Sequence, residues 1–354
     1  MMRVGVVGLG AWGWNVARNF ATLRDCQLVA CCDFDAKRRD AAARAWPGVK
    51  PVAEFDKLLD EDLEAVVIAS PAVTHYPLAK KALLSGRDVF VEKPFTLSVR
   101  DAEELAELAE KKNRILMVGH LLEYHPVVRR LRSMIQKNEL GPLYYVYTRR
   151  VNLGRIRGDE NALWSFAPHD ISQILYILQM EPTDVSARGQ SYIQDGIEDV
   201  VFVSLFFENR VMAHIHLSWL DPHKVRETTI VGRDKMAVFD DVQATEKLRI
   251  YDNHAEAPPA TSYGEAIQVR FGDILIPRVE TAEPLQLECK HFIECVISRA
   301  TPLTDAQDGL RVIRIIEAAQ RSLEQDGVPV RIQGAHGHVY SSDSQNRRWF
   351  AARI

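Results

Sequence analysis

Two patterns of apolar and polar positions succeed one another along this chain. Up to about residue 122, short unbroken apolar runs recur: Val4, Val6 and Val7, then Leu28 to Cys32, Ala65-Val66-Val67-Ile68-Ala69, Asp88 to Val91 and Ile115 to Val118. Runs this short, without polar alternation, fit strands buried on both faces of a parallel sheet. Helix-period segments separate them: one ending near Leu23, Ala36 to Trp46 closed by Pro47-Gly48, a short piece from Phe55 to Leu59, Tyr76 to Ser85 closed by Gly86, and Ser98 to Lys112. In the last of these Leu105, Leu108 and Ala109 share a face, and Ser98 and Asp101 are capping candidates. Strands alternating with helices predict a doubly wound α/β fold, which binds ligands at the carboxyl ends of its strands.

Beyond about residue 122 the period changes. A helix from Pro126 to Lys137 ends at Leu140-Gly141-Pro142, and the strands lengthen and alternate: Tyr144 to Val151, Asp184 to Tyr192, Asp199 to Glu208, Val211 to Leu220, Arg226 to Val231 and Met236 to Asp240. In the fourth, Val211, Ala213, Ile215, Leu217 and Trp219 face one side while Met212, His214, His216 and Ser218 face the other. This predicts a large, mainly antiparallel open sheet with helices on one face. Both of its faces carry apolar or aromatic residues, which points to a face-to-face or edge dimer. Helices are expected from Ile171 to Leu178, opened by the segment from Asn161 to Asp170, then from Pro284 to Ser298 and from Asp308 to Gln325. The expected division is an N-terminal Rossmann domain over 1–122, a substrate-binding and dimerising α+β domain over 123–332, and a polar tail over 333–354.

Composition narrows the class more than the activity. At 354 residues and 47% hydrophobic content the chain can bury two cores, and its net charge of −4 lacks the basic stripe of a nucleic-acid binder. No apolar run approaches the roughly 20 residues that span a bilayer. The N-terminus runs straight into the first strand and leaves no room for a signal peptide, so a cytoplasmic location is expected. The five cysteines form no CxxC and no zinc spacing, and read as reduced, buried thiols.

The richest chemistry lies at the start. Gly8-Leu9-Gly10-Ala11-Trp12-Gly13 follows the first strand and opens a helix, and Asp33 ends the second strand 20 residues past Gly13. This is the dinucleotide fingerprint: Gly8 for the tight turn, Gly10 for approach of backbone N–H groups to a pyrophosphate, Gly13 for close packing of helix on strand, and Asp33 for the adenosine ribose. A carboxylate about 4 Å from a 2′-phosphate would cost roughly 4 kcal/mol at an effective dielectric near 20, so NAD is expected over NADP. Lys37 and Arg38 either soften that repulsion or are solvated helix charges.

Three segments fall at later strand ends: Ser70-Pro71-Ala72-Val73-Thr74-His75, Glu92-Lys93-Pro94 and Gly119-His120. Pro94 biases Lys93 toward an extended backbone, from which its ammonium can reach a substrate hydroxyl; alternatively Lys93 is a surface lysine paired with Glu92. Thr74 and His75 meet the nicotinamide end, or Thr74 caps a helix. His169-Asp170 at a helix start offers an imidazole titrating near neutrality, suited to take the hydroxyl proton as hydride leaves the same carbon. In the alternative, Asp170 caps the helix and His169 is packed. His214 and His216 share a strand face without a third ligand nearby, so no metal is expected.

With these residues in place, the chain resembles the glucose-fructose oxidoreductase and myo-inositol dehydrogenase family, written Gfo/Idh/MocA, over about residues 3 to 332. The resemblance rests on the Gly8 to Gly13 turn, the Ser70 to His75 segment, Glu92-Lys93-Pro94 and His169-Asp170. It implies an NAD(P)-dependent two-domain oxidoreductase of sugars or cyclitols with Lys93 and His169 at the reaction centre. The cofactor residues it implies are Gly8, Gly10, Ala11, Trp12, Gly13, Asp33, Ser70, Pro71, Thr74, His75, Glu92 and Lys93. Asn152-Leu153-Gly154 and Asn161-Ala162-Leu163-Trp164-Ser165-Phe166-Ala167-Pro168-His169-Asp170, with Gly119-His120 and His125-Pro126, look like the sugar-nucleotide branch. That branch comprises UDP-N-acetylglucosamine 3-dehydrogenases and the related uronate enzymes, whose 3-keto products pass to a pyridoxal-phosphate aminotransferase. The implied substrate contacts are His120, Asn152, Asn161, Trp164, Ser165 and Asp170, with Arg149, Arg155 and Arg157 either gripping a UDP diphosphate or standing as exposed charges. One departure is Ser165, where many members carry Asp four residues before the histidine. Two other readings stay open: a dehydrogenase of a free sugar or inositol, and a non-catalytic NAD-sensing regulator.

Overall fold

A computed structural model describes residues 1–154, 156–256 and 268–334, which divide into two compact units. The first opens with β1 (Met2–Val7), α1 (Ala11–Thr22), β2 (Cys26–Cys32), α2 (Ala36–Ala45), β3 (Lys50–Val52), α3 (Phe55–Leu59), β4 (Ala65–Ile68), α4 (His75–Leu84), β5 (Asp88–Glu92), α5 (Val99–Lys111) and β6 (Leu116–Gly119). All neighbouring strands are parallel, in the order β3-β2-β1-β4-β5-β6. The strand order reverses between β1 and β4, which makes their carboxyl ends the crevice of a Rossmann sheet. Three of the unbroken apolar runs read from the sequence are fully buried strands: every residue of β4, β5 and the edge strand β6 is buried.

The second unit begins with α6 (Pro126–Gln136), β7 (Leu143–Val151), α7 (Ala162–Leu178), β8 (Asp184–Gln190), β9 (Val200–Phe206), β10 (Met212–Ser218), β11 (Val225–Gly232) and β12 (Met236–Asp240). Short strands β13 (Leu248–Tyr251), β14 (His254–Glu256), β15 (Gln268–Arg270) and β16 (Ile274–Leu275) follow, then α8 (Pro284–Ser298), α9 (Ala306–Glu324) and β17 (Val330–Arg331). The main sheet has nine strands in the order β16-β13-β12-β11-β7-β10-β9-β8-β17. It is antiparallel except where β10 runs parallel to β7. Ala213, Ile215 and Leu217 are buried beneath α7, whereas Met212 on the other face is 49% exposed. Tyr145, Tyr147 and Phe202 are exposed on that same open face.

The division differs from the sequence boundary in one respect. Residues 282–314, expected in the second domain, belong to the first unit. Tertiary contacts account for this. Phe292 of α8 meets Phe20 and Phe90 edge to face, with centroids 6.1 and 5.7 Å apart. Such pairs contribute about 0.5–1.5 kcal/mol each beyond the area they bury. Thr304 extends the contact by accepting from the Val118 amide at 2.8 Å and donating its hydroxyl to the Val118 carbonyl at 2.7 Å. The boundary then falls inside α9. Of the expected tail, residues 335–354 lie outside the described part. Among the described residues, no helix is long and apolar enough to cross a membrane.

Candidate functional site

The glycine turn in the first unit is shaped for a dinucleotide. Gly8 holds φ at +90°, and a Cβ there would press on the Ala69–Ser70 backbone at 2.6–2.7 Å. A Cβ on Gly13 would collide with the Gly8 carbonyl, so α1 can approach the turn only with glycine at that position. Gly10 faces open space and starts α1 without any side-chain cap, leaving first-turn N–H groups for an anion. Ala11 and Trp12 continue that first turn. Asp33 is buried: Oδ2 accepts from the Leu9 amide at 2.7 Å and Oδ1 from Asp35 at 2.9 Å, with Arg38 3.4 Å away. A carboxylate offers about four acceptor positions, so one remains for a ribose hydroxyl. Arg38 is thus an ion-pair partner of Asp33 and Asp35, while Lys37 supplies the amide that caps α2 on Asp35.

Around Lys93 the structure replaces several expected ligand contacts with internal ones. Glu92 is buried, its Oε1 accepting from Trp12 Nε1 at 2.6 Å and its Oε2 from the Lys93 amide at 3.3 Å. Burial raises its pKa, against the pull of the Trp12 hydrogen bond and the Lys93 charge. A Cβ on Gly119 would reach Glu92 Oε2 at 2.9 Å, so the β6 glycine makes room for this carboxyl. His75 is buried with Nδ1 2.7 Å from the Pro94 carbonyl and Nε2 2.9 Å from the Ser70 carbonyl. Burial pulls its pKa down, and the nearby Lys93 ammonium adds to this. His75 therefore braces two loops. Thr74 does not cap α4; its hydroxyl bonds Ser70 Oγ at 2.6 Å and the Pro71 carbonyl at 2.7 Å. Lys93 itself is half-buried, before a cis peptide to Pro94.

In the second unit the helix holding His169 starts nine residues earlier than expected, at Ala162 rather than Ile171. Asn161 caps it by accepting from the Trp164 amide at 3.1 Å, so His169 and Asp170 lie mid-helix and neither is a cap. Pro168 is tolerated inside the helix, although it has no N–H to give the Trp164 carbonyl. His169 and Trp164 are half-buried, and Ser165 points inward. Asn161 Nδ2 donates to Glu198 at 2.7 Å and to Gln320 at 3.1 Å, which commits its amide to the scaffold. Asp170 is likewise committed, accepting from Arg150 Nε at 2.6 Å in a buried pair.

Strand alternation sorts the arginines. Arg150 points toward α7, so Arg149, one residue earlier on β7, lies exposed on the opposite face beside His216. Arg157 is exposed and paired with Glu160 at 3.0 Å. Arg155 lies outside the described residues. Asn152 follows β7 and donates its amide to Ser218 at 3.0 Å. Arg150 was missed from the sequence, although the alternation of Val146 and Thr148 would have placed it on the helix side.

His120 is sealed, not ligand-facing: it is 1% exposed and its Nδ1 donates to Asp308 at 2.6 Å. Burial opposes its charged form, but the bonds to Asp308 and Glu123 prevail and raise its pKa to about 9. His214 and His216 stack on Phe202 at 6.1 and 4.5 Å, and no third metal ligand is grouped with them among the described residues.

Comparison with known proteins bears on both units. Residues 2–120 match the Gfo/Idh/MocA oxidoreductase profile described as an NAD-binding Rossmann fold, and residues 128–238 match the C-terminal domain profile of the same group. The UDP-N-acetylglucosamine 3-dehydrogenase of Acidithiobacillus ferrooxidans is 28% identical over 320 residues, covering 88% of this chain and 94% of that one. A solved structure of that enzyme superposes with a TM-score of 0.77 at 25% identity, covering 92% and 98% of the two chains. The scyllo-inositol 2-dehydrogenase (NAD(+)) of Bacillus subtilis is 25% identical over 347 residues, 94% of this chain and 96% of that one. An inositol dehydrogenase homolog from Azotobacter vinelandii, solved with NADH and myo-inositol, shares the fold with a TM-score of 0.78 at 20% identity and 93% and 97% coverage.

Proposed function

This chain belongs to the Gfo/Idh/MocA family of NAD(P)-dependent oxidoreductases, and from that premise we propose that it oxidises the C3 hydroxyl of a UDP-N-acetyl-hexosamine, UDP-N-acetylglucosamine or its uronate, to the 3-keto sugar nucleotide. The observation that carries this reading is the relationship to a UDP-N-acetylglucosamine 3-dehydrogenase along 94% of that enzyme's length. The turn from Gly8 to Gly13 would hold the pyrophosphate of NAD on the uncapped start of α1, and Asp33 the adenosine ribose. NAD supplies the hydride acceptor when bound. His169 takes the hydroxyl proton as the C3–H bond breaks toward the acceptor and the C3 carbonyl forms, while Lys93 polarises the same oxygen. Pro71 and Thr74 border the nicotinamide end. Of the arginines, Arg155 is the remaining candidate for the diphosphate, because Arg149 lies on the opposite sheet face and Arg157 is paired with Glu160.

The test is NAD reduction, followed by absorbance, with UDP-N-acetylglucosamine, its uronate, free N-acetylglucosamine and inositols. Turnover of the nucleotide sugars alone is expected, and Arg155→Ala should raise KM only for them. The relationship to an inositol dehydrogenase supports a second reading, a free polyol as substrate, and turnover confined to inositols would establish it. The product, a ketone on an amino-sugar nucleotide, suits a pyridoxal-phosphate aminotransferase. The exposed face with Tyr145, Tyr147, Phe202 and Met212 is assigned to a second copy in a homodimer or dimer of dimers, to be read from the mass in solution by light scattering.

A further inference from the structure

Strand β11 carries, on the sheet face under α7, an arginine with no partner among the described residues. Arg226 is paired across the sheet with Arg150 of β7, and paired residues of antiparallel strands project to the same side with Cα atoms about 5 Å apart. Arg150 points to α7, where its Nε donates to Asp170 at 2.6 Å, so Arg226 points that way too. Thr228, two residues along β11 and hence on the same face, accepts from Gln173 of α7 at 2.9 Å. These two ties set the register of helix on sheet: Gln173 lies over Thr228, and Asp170 over Arg150. His169 stands one turn back from Gln173 on the same row of α7, where neighbours are about 5–6 Å apart. That step matches the step from Thr228 back to Arg226, which puts Arg226 at the level of His169.

The two arginines differ in what surrounds them. Arg150 is buried and neutralised by Asp170. Arg226 is exposed, and among the described residues no hydrogen bond or ion pair reaches its guanidinium. The acidic groups whose charge it feels are committed elsewhere: Asp170 to Arg150, and Asp241 to Lys247 at 3.2 Å and to His125 at 3.4 Å. Glu227, the next residue, alternates to the other face of the sheet. The Asp241 amide donates to the Arg226 carbonyl at 2.9 Å, which fixes the backbone and leaves the side chain able to turn. A purely solvated charge gains nothing from standing opposite a second arginine, because like charges across a strand pair are destabilising. A bound anion removes that cost, and the arginine fork meets an oxyanion with two parallel N–H bonds.

We propose that Arg226 is a substrate-binding and specificity residue that grips an anionic oxygen group of the substrate beside the hydroxyl that His169 deprotonates. The inference rests on the sugar-nucleotide reading above and adds to it a charge on a strand, separate from the segment that carries Arg155 and Arg157. Such a substrate has two sources of the anion, the C6 carboxylate of a uronate and the diphosphate. With the C3 hydroxyl at His169 the sugar ring is the part at this level, so the carboxylate is the expected one.

The test compares wild type, R226Q and R226K with three probes: UDP, UDP-N-acetylglucosamine and its uronate. Affinities are measured by calorimetry with NADH bound, KM and kcat by NAD reduction, and the thermal midpoint without ligand. R226Q should weaken the uronate about 10- to 100-fold, the loss expected for a charge-assisted pair of hydrogen bonds, and lower kcat by less than it raises KM. Loss confined to the uronate identifies the carboxylate, whereas equal loss for all three probes at an unchanged thermal midpoint identifies the diphosphate. R226K should recover only part, since it keeps the charge without the fork. Without ligand, R226Q should melt at or above wild type, because a like charge has left Arg150. Unchanged affinity for every probe overturns the inference and leaves the sugar-nucleotide reading standing. A lowered thermal midpoint in R226Q also overturns it, by making Arg226 part of the scaffold. Failure of wild type to bind any of the three probes, or turnover of inositols alone, overturns both.

Discussion

Lys93 and His169 are placed by opposite devices. Lys93 stands in a loop, where no repeating hydrogen-bond pattern fixes the backbone, and the chain around it is pinned point by point. Glu92 accepts from the Lys93 amide and from Trp12, and His75 sits between the Pro94 and Ser70 carbonyls. His169 stands in the middle of a 17-residue helix, whose own ladder sets its direction. That helix is tied along its length by the Asn161 cap, the buried Arg150–Asp170 pair, the Gln173 amide donating to Thr228 and its apolar face on the sheet. A loop-borne group is therefore fixed by polar ties at its immediate neighbours, whereas a helix-borne group takes its direction from the ladder and can be tied down at other points along it.

The largest effects should come from the two groups themselves. Lys93→Ala and His169→Ala are each expected to lower kcat by roughly 10²- to 10⁴-fold, the range for loss of a proton-transferring or polarising group. Calorimetry should show NAD binding retained in both. If either variant keeps wild-type kcat on the nucleotide sugar, that residue is not at the reaction centre.

Breaking the helix anchor comes next. Asp170→Ala leaves the buried Arg150 guanidinium without its partner, which costs about 3–5 kcal/mol. Arg226, whose pKa burial and Arg150 already lower, adds a like charge nearby. Urea unfolding should therefore detect a large loss in Asp170→Ala and recover much of it in the double variant Arg150→Met, Asp170→Leu. A loss below about 1 kcal/mol for the single change would mean that the helix is held by its apolar face alone.

How much of this was legible follows from range. The strands and helices of the first unit could be read because each apolar run and each helix period is local, and the Gly8, Gly10, Gly13 and Asp33 spacing is local too. The start of α7 was not legible, because Pro168 reads as a helix boundary until the Asn161 cap is seen. The burial of His120 was hidden for a different reason: its partner Asp308 is 188 residues away. The same separation concealed the return of α8 to the first unit. Glu92 and His75 looked like ligand-facing residues because sequence reports that a polar side chain sits at a strand end, not which way it points.

The loop half of the molecule should also carry a pH signature that the helix half lacks. His120 has a folded pKa raised to about 9 from an ordinary value near 6.5, so its contribution is fully present below pH 6.5 and is lost as pH rises through 9. Glu123, raised to about 8 by burial and the Asp308 charge, acts in the same direction, since the folded state holds its proton more tightly. Together they predict a fall in thermal midpoint that begins near pH 4.5 with Glu123, steepens above pH 6.5 as His120 joins it and ends near pH 9, equivalent to at most roughly 3 kcal/mol for His120. Asp308→Asn should flatten that slope, and a slope unchanged in that variant would detach the network from stability.

The smallest effect separates the two helix starts. α1 begins at Gly10 with no side-chain cap, whereas α7 begins at Asn161, whose carbonyl oxygen accepts from Trp164. If the first is left open for a ligand and the second is closed for stability, exchanging the devices has opposite consequences. Asn161→Ala should lower stability by at least about 1 kcal/mol, for the lost cap together with the lost amide bonds to Glu198 and Gln320, and leave NAD affinity unchanged. Gly10→Asp places an acceptor where a Cβ meets open space, so it should cap α1 and leave the thermal midpoint at or above that of wild type. The same carboxylate faces the position of the pyrophosphate, and NAD affinity should fall at least tenfold, with the loss shrinking as salt is added. Equal NAD affinity in Gly10→Asp and wild type would place the dinucleotide somewhere other than the start of α1.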